Sequence, residues 1–310
     1  MSVRILATSP LVGPALKELG LRFPELRVAP FRSGPWNEAL PEVEALVVLL
    51  SEPLTEADLA KAPRLKAIGT YSVGVNHLPL AACATRGIRV LSTPGVLTDA
   101  TADLALALLL AVTRRIAEGE RLVRSGRWTG WAPDQLLGAG LAGKVCGILG
   151  AGAIGKAFAR RAWALGMQPL FWDREGKGGA VSFGICDAPR APLLKLLESS
   201  TVLSLHCPLT DETKGLLGLK ELERLPKGAI LINTARGGIL DEPSAIALLR
   251  AGHLGGAGLD VYAGEPKLHP AWLDAPRTVL LPHLGSATVE TRGAMARMLC
   301  DGIGETLGAS

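Results

Sequence analysis

Residues 145–161 read VCGILGAGAIGKAFARR: an apolar run, a turn with glycines at Gly150, Gly152 and Gly155, then a helical pattern. A G-x-G-x-x-G turn between a strand and a helix is how a dinucleotide-binding α/β unit begins. The first glycine permits the tight turn, the second lets a pyrophosphate approach the backbone, and the third lets helix and strand pack closely. The helix N-terminus then offers free N–H groups and partial positive charge to the phosphates. A second signal supports the first, because Asp173 closes the next strand in LFWDRE, about 20 residues on, where a carboxylate holds the ribose hydroxyls of adenosine. A carboxylate there favours NAD over NADP by repelling the 2′-phosphate. Arg174, its neighbour, argues the other way. NAD is the expected cofactor and NADP the second.

The turn sits in the middle of the chain, so the residues before it need an account. Strand-like runs at Val3–Ala7, Ala45–Leu50, Leu65–Thr70 and Ile88–Leu91 alternate there with helical patterns at 11–20, 55–61 and 78–86. After the turn, strands are predicted at Gln168–Trp172, Val202–His206, Ala229–Asn233, Gly256–Val261 and Val279–Leu281, with helices at 153–166, 190–199, 241–251 and 286–306. Such alternation implies parallel sheets covered on both faces. The expected fold is α/β with two doubly wound parallel-sheet domains: residues 98–283 form a Rossmann domain inserted into a discontinuous domain of 1–97 plus 284–310. The stretch TPGVLTDATADLALALLLAVTRR predicts one long, all-round apolar helix over about 98–118, which calls for cover on every side, from a second subunit or from an interior position between the domains.

Composition excludes several classes. The chain of 310 residues is 48% hydrophobic and 20% charged, so it supports a large core and carries no tract polar enough for disorder. Its net charge of +4 is small and its basic residues are scattered, which argues against nucleic acid. Cys83, Cys146, Cys186, Cys207 and Cys300 lie far apart, as reduced thiols of a cytoplasmic protein do, without metal-ligand spacing; no metal is expected. The N-terminus shows no signal-peptide pattern, and the longest apolar run, 103–112, is short of the roughly 20 residues that span a bilayer.

Three polar residues follow predicted strand ends, where open α/β sheets bind ligands: Arg236 in INTARGGILDE, Glu265 in LDVYAGEP and His283 in LLPHLGSAT. Singly each has a structural explanation. Together they suit reduction of a 2-oxo acid by a nicotinamide. A fixed cation holds a carboxylate and the adjacent carbonyl, a histidine moves the proton, and a neighbouring carboxylate orients the ring and favours imidazolium. His77 and His206 are weaker candidates for the same cleft, while His253 and His269 read as surface or loop residues.

These motifs, with YSVGVNHLPL, HCPLTDETKGLL and the long apolar helix, resemble the D-isomer-specific 2-hydroxyacid dehydrogenase family over nearly the whole chain. TPGVLTDATADLA and RWTGWAP are most similar to its glyoxylate/hydroxypyruvate reductases. The resemblance implies a flavodoxin-like substrate domain flanking the coenzyme domain, with the active site in the cleft. It implies Arg236 on the substrate carboxylate and carbonyl, His283 as general acid in reduction, and Glu265 orienting it. Backbone N–H groups at Val73 and Gly74 would hold the substrate. Ala153 and Ile154 would touch the pyrophosphate, and Pro208, Thr234, Ala235, Arg236, Asp260, His283 and Gly285 would line the dinucleotide pocket. It also implies a homodimer through the coenzyme domain, with Trp131 reaching the partner's site. Phosphoglycerate dehydrogenase is the runner-up within this chemistry, and an NADH-sensing binding protein without turnover is the alternative of another class.

Overall fold

The computed structural model describes residues 5–10, 21–23, 26–173 and 179–308. The predicted helix at 11–20, the first residues of the predicted strand at Val3–Ala7, and Arg174 lie outside the described residues. The chain divides into two compact units, Met1–Leu97 with Ser286–Ser310, and Thr98–Gly285. Leu284 and Gly285 thus fall in the second unit, because their backbone amides donate to Asp260 there.

The first unit carries strands β1 (Ile5–Ala7), β2 (Arg27–Val28), β3 (Ala45–Val48), β4 (Ala67–Thr70) and β5 (Arg89–Leu91) in the order β2-β1-β3-β4-β5. All pairs are parallel, which is the flavodoxin-like doubly wound order. β3 and β4 are buried throughout, so apolar runs without alternation mark them in the sequence. β2 carries no such mark, being two exposed residues at an edge. The helix Gly34–Ala39 is also unannounced. It begins at Ser33, whose hydroxyl accepts from the Trp36 amide, and it buries Trp36 completely. The helix Glu56–Ala60 starts with a reciprocal cap between Thr55 and Asp58. Val289–Leu307, the last helix, packs on β4 and β5 through Met295, Ala296, Leu299, Cys300 and Ile303, returning the chain to its first unit.

The second unit carries β6 (Val145–Leu149), β7 (Gln168–Trp172), the antiparallel pair β8 (Ala180–Ser182) and β9 (Asp187–Pro189), then β10 (Val202–Leu205), β11 (Ala229–Asn233), β12 (Leu254–Leu259) and β13 (Thr278–Leu280). Its main sheet is parallel, ordered β13-β12-β11-β10-β6-β7. A parallel bridge from Phe171 to Arg190 continues it past β7, completing the strand sequence of a dinucleotide-binding fold. The strand order reverses between β6 and β10, so the ligand crevice belongs at their carboxyl ends.

The long apolar stretch departs from expectation. It forms a helix Thr98–Thr113, then a second helix Ile116–Arg124, with Arg115 at φ 53° between them. The break is tertiary in origin. The Ala139 amide takes the Thr113 carbonyl, and Thr113 Oγ1 turns back to Leu109 O. The first helix buries Ala102, Ala105, Leu108, Leu109 and Val112 against β11, β12 and the helix Ala153–Ala164, so much of its apolar surface is covered within its own unit. Among the described residues, no helix is long and apolar enough to cross a membrane.

Candidate active site

The glycine turn joins β6 to the helix Ala153–Ala164, and its three glycines differ physically. Gly150 has φ 111°, and a Cβ there would lie 2.7 Å from the Cys207 amide nitrogen. At Gly155 a Cβ would come within 2.0 Å of the Gly150 carbonyl oxygen. Gly152, the helix N-cap, faces open space, with nothing within 4 Å of an added Cβ. The open position is the one a pyrophosphate approaches, beside the free N–H groups of a helix N-terminus that includes Ala153 and Ile154.

A pocket of about 330 Å³ lies beside this turn, lined among others by Gly150, Gly152, Asp173, Arg190, His206 and Pro208. It is of ligand size. Three buried polar atoms at strand ends lack a hydrogen-bond partner among the described residues: Asp173 Oδ1, His206 Nδ1 and Thr234 Oγ1. Buried groups of this kind are ordinarily satisfied, and a ribose- and amide-bearing ligand supplies the missing partners. The residues present fit a dinucleotide.

Arg236, Glu265 and His283 all belong to the second unit and follow β11, β12 and β13. His283 Nδ1 lies 2.7 Å from Glu265 Oε2, with side chains 26% and 27% exposed. A carboxylate only accepts, so Nδ1 carries the proton and Nε2 is left for other partners. The other Glu265 oxygen accepts from the Tyr262 amide at 2.8 Å. Burial alone would raise the Glu265 pKa, but hydrogen bonds from His283 and Tyr262, with the charges of His283 and Arg236, outweigh it and hold the group below the ordinary carboxylate range. Arg236 is partly buried, which lowers its pKa against the opposing charge of Glu265; a guanidinium remains charged even so. His206 is different. Burial pushes its pKa down to about 3, and its Nε2 pairs with Ser204 Oγ at 2.8 Å. A neutral imidazole is a poor proton donor, which separates it from His283.

Several bonds that shape this site are invisible to motif reasoning, although Asp260 itself was expected in the pocket. Asp260, 1% exposed, accepts the amides of Leu284 and Gly285 at 2.6 and 2.8 Å, while its carbonyl takes the His283 amide at 3.0 Å. Its carboxylate is therefore engaged with backbone. His283 itself adopts φ 57°, an uncommon conformation for a side-chain residue held by these bonds. Glu242, 6% exposed, accepts from the Ala263 amide at 2.6 Å and the Trp272 indole at 3.0 Å, anchoring the loop that carries Glu265. Fully buried Asn233 clamps the Ala235 amide and the Arg236 carbonyl, each at 3.0 Å. No spacing rule signals these bonds, since each joins a side chain to backbone or to a distant side chain.

The remaining predicted positions divide between the two units. Val73 and Gly74 lie in a loop of the first unit after β4, where Ser72 Oγ donates to the Gly74 carbonyl at 2.6 Å. Trp131 is 82% exposed. His77 belongs to the first unit, whereas His206 lines the 330 Å³ pocket. His269 is exposed, but His253 is partly buried, with its Nε2 enclosed. Among the described residues, no group of three or more His, Cys, Asp or Glu could hold a metal ion.

Comparison with known proteins agrees with this geometry. The family model for the NAD binding domain of D-isomer specific 2-hydroxyacid dehydrogenases matches residues 106–285. A glyoxylate reductase of Thermococcus litoralis is 45% identical over 270 residues, spanning 86% of this chain and 81% of that protein. A glycerate dehydrogenase of Hyphomicrobium methylovorum is 38% identical over 274 residues, or 88% and 85% of the two chains. A solved structure from Thermus thermophilus matches with a TM-score of 0.91 at 41% identity, covering 99% of this chain and 97% of that one. With these matches and this strand order, the chain belongs to the D-isomer specific 2-hydroxyacid dehydrogenases, as an oxidoreductase with an NAD-binding domain.

Proposed function

We propose that the protein reduces small 2-oxo acids, glyoxylate and hydroxypyruvate, to the corresponding 2-hydroxy acids. The observation that carries this reading is the 2.7 Å pairing of His283 with Glu265, with Arg236 close enough for its charge to act on Glu265. Relatives of this chain named glyoxylate reductase and glycerate dehydrogenase support the substrate class.

NADH, when bound, would supply a hydride for the carbonyl carbon. Arg236 binds the substrate carboxylate and offers positive charge to the carbonyl oxygen as it becomes anionic. His283 delivers one proton from Nε2 to that oxygen, so the product gains a hydride and a proton in all. Glu265 holds the ring by Nδ1 and supplies a negative charge beside the imidazolium. Asp173 accepts from the adenosine ribose, and Gly152, Ala153 and Ile154 present backbone to the pyrophosphate, with Pro208, Thr234, Ala235 and Gly285 along the same pocket.

We also read the protein as a cytoplasmic homodimer formed through the second unit. Free thiols at all five cysteines support a reducing compartment. Exposed Trp128, Trp131 and Leu137 support a subunit contact. Light scattering of the purified chain tests the dimer, and a monomeric mass rejects it.

The activity is tested by following NADH oxidation with glyoxylate, hydroxypyruvate, pyruvate and phosphohydroxypyruvate. Turnover greatest with the first two is expected. Tight NADH binding without turnover of any 2-oxo acid would instead make the protein a dinucleotide sensor.

A further inference from the structure

Arg190 occupies the position where the second unit's sheet continues past β7. Its backbone bridges Phe171 in parallel, and the next amide, of Ala191, donates to the Phe171 carbonyl at 2.9 Å. This register delivers the side chain to Asp173, just beyond the end of β7. Arg190 Nε donates to Asp173 Oδ2 at 2.9 Å, with the two side chains 23% and 19% exposed, and both line the 330 Å³ pocket. No described residue accepts from Nη1 or Nη2 of Arg190.

The consequence is electrostatic. An unpaired carboxylate at this place repels a phosphate on the adenosine 2′-oxygen. Here a guanidinium neutralises that carboxylate at hydrogen-bond distance, in a pocket shielded enough that salt screens the pair only in part. The guanidinium spends one N–H on Asp173 and keeps a planar pair of nitrogens, a geometry suited to phosphate oxygens. Among the described residues Arg190 pairs through Nε alone, so Asp173 and Arg190 can act side by side on different ligand groups.

We propose that Arg190 is a cofactor-specificity residue: Asp173 accepts the free ribose hydroxyls of NAD(H), and Arg190 takes the 2′-phosphate of NADP(H), so that the pocket binds both. This rests on the reading of the pocket as the adenosine end of the dinucleotide site.

The test is equilibrium titration of the full chain with NADH and with NADPH, without substrate, by calorimetry. Wild-type protein is expected to bind both, with Kd values within about tenfold of each other. Arg190→Leu should weaken NADPH by about 10- to 100-fold, as for the loss of charge-assisted hydrogen bonds, and change NADH by less than about threefold. Arg190→Lys, which keeps the charge without the fork, should give an intermediate NADPH affinity and covers the case in which the leucine variant fails to fold. Asp173→Ser should weaken NADH more than NADPH. Tight NADH binding with no measurable NADPH binding overturns this inference alone. So does an equal loss of both ligands in folded Arg190→Leu, or in Arg190→Lys should the leucine variant not fold, since a merely structural role moves them together. Binding of neither dinucleotide to wild-type protein overturns this inference and the reading beneath it alike.

Discussion

Asp260 and Gly285 stand 25 residues apart in the chain and are joined by a 2.8 Å hydrogen bond from the glycine amide to the carboxylate. With the Leu284 amide on its other oxygen, Asp260 draws the segment after β13 back to the end of β12 and fixes the backbone of His283 between them. Burial raises the Asp260 pKa, opposed by these amides and by the charge of His283. Asp260→Ala should leave two amides without acceptors, lowering stability by about 2–3 kcal/mol. It should also reduce kcat by more than about tenfold while dinucleotide affinity changes less. Thermal melts and steady-state kinetics on one preparation check both; unchanged kcat would mean the loop is held without it.

Glu242 should behave similarly at one remove. Glu242→Gln keeps the shape but loses the charge that receives the Ala263 amide and the Trp272 indole. We expect a loss of about 1–3 kcal/mol and a fall in kcat through displaced Glu265, with the KM for the 2-oxo acid changed less. A fall in stability with fully preserved kcat would confine Glu242 to folding.

The glycine turn separates folding from binding. Gly155→Val forces a side chain into the Gly150 carbonyl and should prevent accumulation of folded protein. The Cβ of Gly152→Val meets no described atom within 4 Å, so the variant should fold with near-native melting temperature yet bind NADH at least about tenfold more weakly. Calorimetry with NADH and circular dichroism on both variants decide the point.

His283→Ala is expected to lower kcat by about 10²- to 10⁴-fold, the range for a lost general acid, with NADH affinity largely kept. Arg236→Ala should damage kcat and KM together, and Arg236→Lys should recover charge without the bidentate fork. Near-wild-type turnover by His283→Ala would remove the proton-transfer assignment.

Acid should destabilise the protein through carboxylates held below their ordinary values. Asp58 is one: burial alone would raise its pKa, but hydrogen bonds from Arg32 and Thr55 hold it below 3.8. Glu265 is held below 4.5. Because the unfolded chain takes up these protons first, the stability the two groups contribute is complete above those ordinary values. It is lost as pH falls through the lower folded ones. Melting temperature should fall between about pH 5 and about pH 3, and less steeply in Glu265→Gln. A variant whose acid limb superimposes on wild type would show that Glu265 contributes nothing to it.

Much of the fold was legible because parallel strands buried on both faces must be continuous apolar runs. Gln168–Trp172 and Ala229–Asn233 match their predicted bounds, and the other predicted strands differ by a few residues at their ends. The antiparallel pair β8–β9 was not legible. Its strands have three residues each, one of them buried, too little for a period to register. The break at Arg115 was equally hidden, since it depends on an amide 24 residues downstream of it, at Ala139, capping the helix. Within the site, the side chains that bear chemistry were recognisable by type and place after strand ends. Of their supports, Asp260 was named only through the family resemblance, and Glu242 and Asn233 were not found, because a buried carboxylate or amide bound to backbone leaves no periodic trace.

The sequence by itself determined the glycine turn, the carboxylate just beyond β7 and the identity of the three polar residues, because these depend on local backbone chemistry and on residue type. Tertiary structure alone decided that His283 meets Glu265 through Nδ1, that the surroundings of His206 hold it neutral, and that Asp173 is paired with Arg190. Each of those facts is a distance or a burial, and strands aligned side by side set both between residues that the chain itself keeps apart.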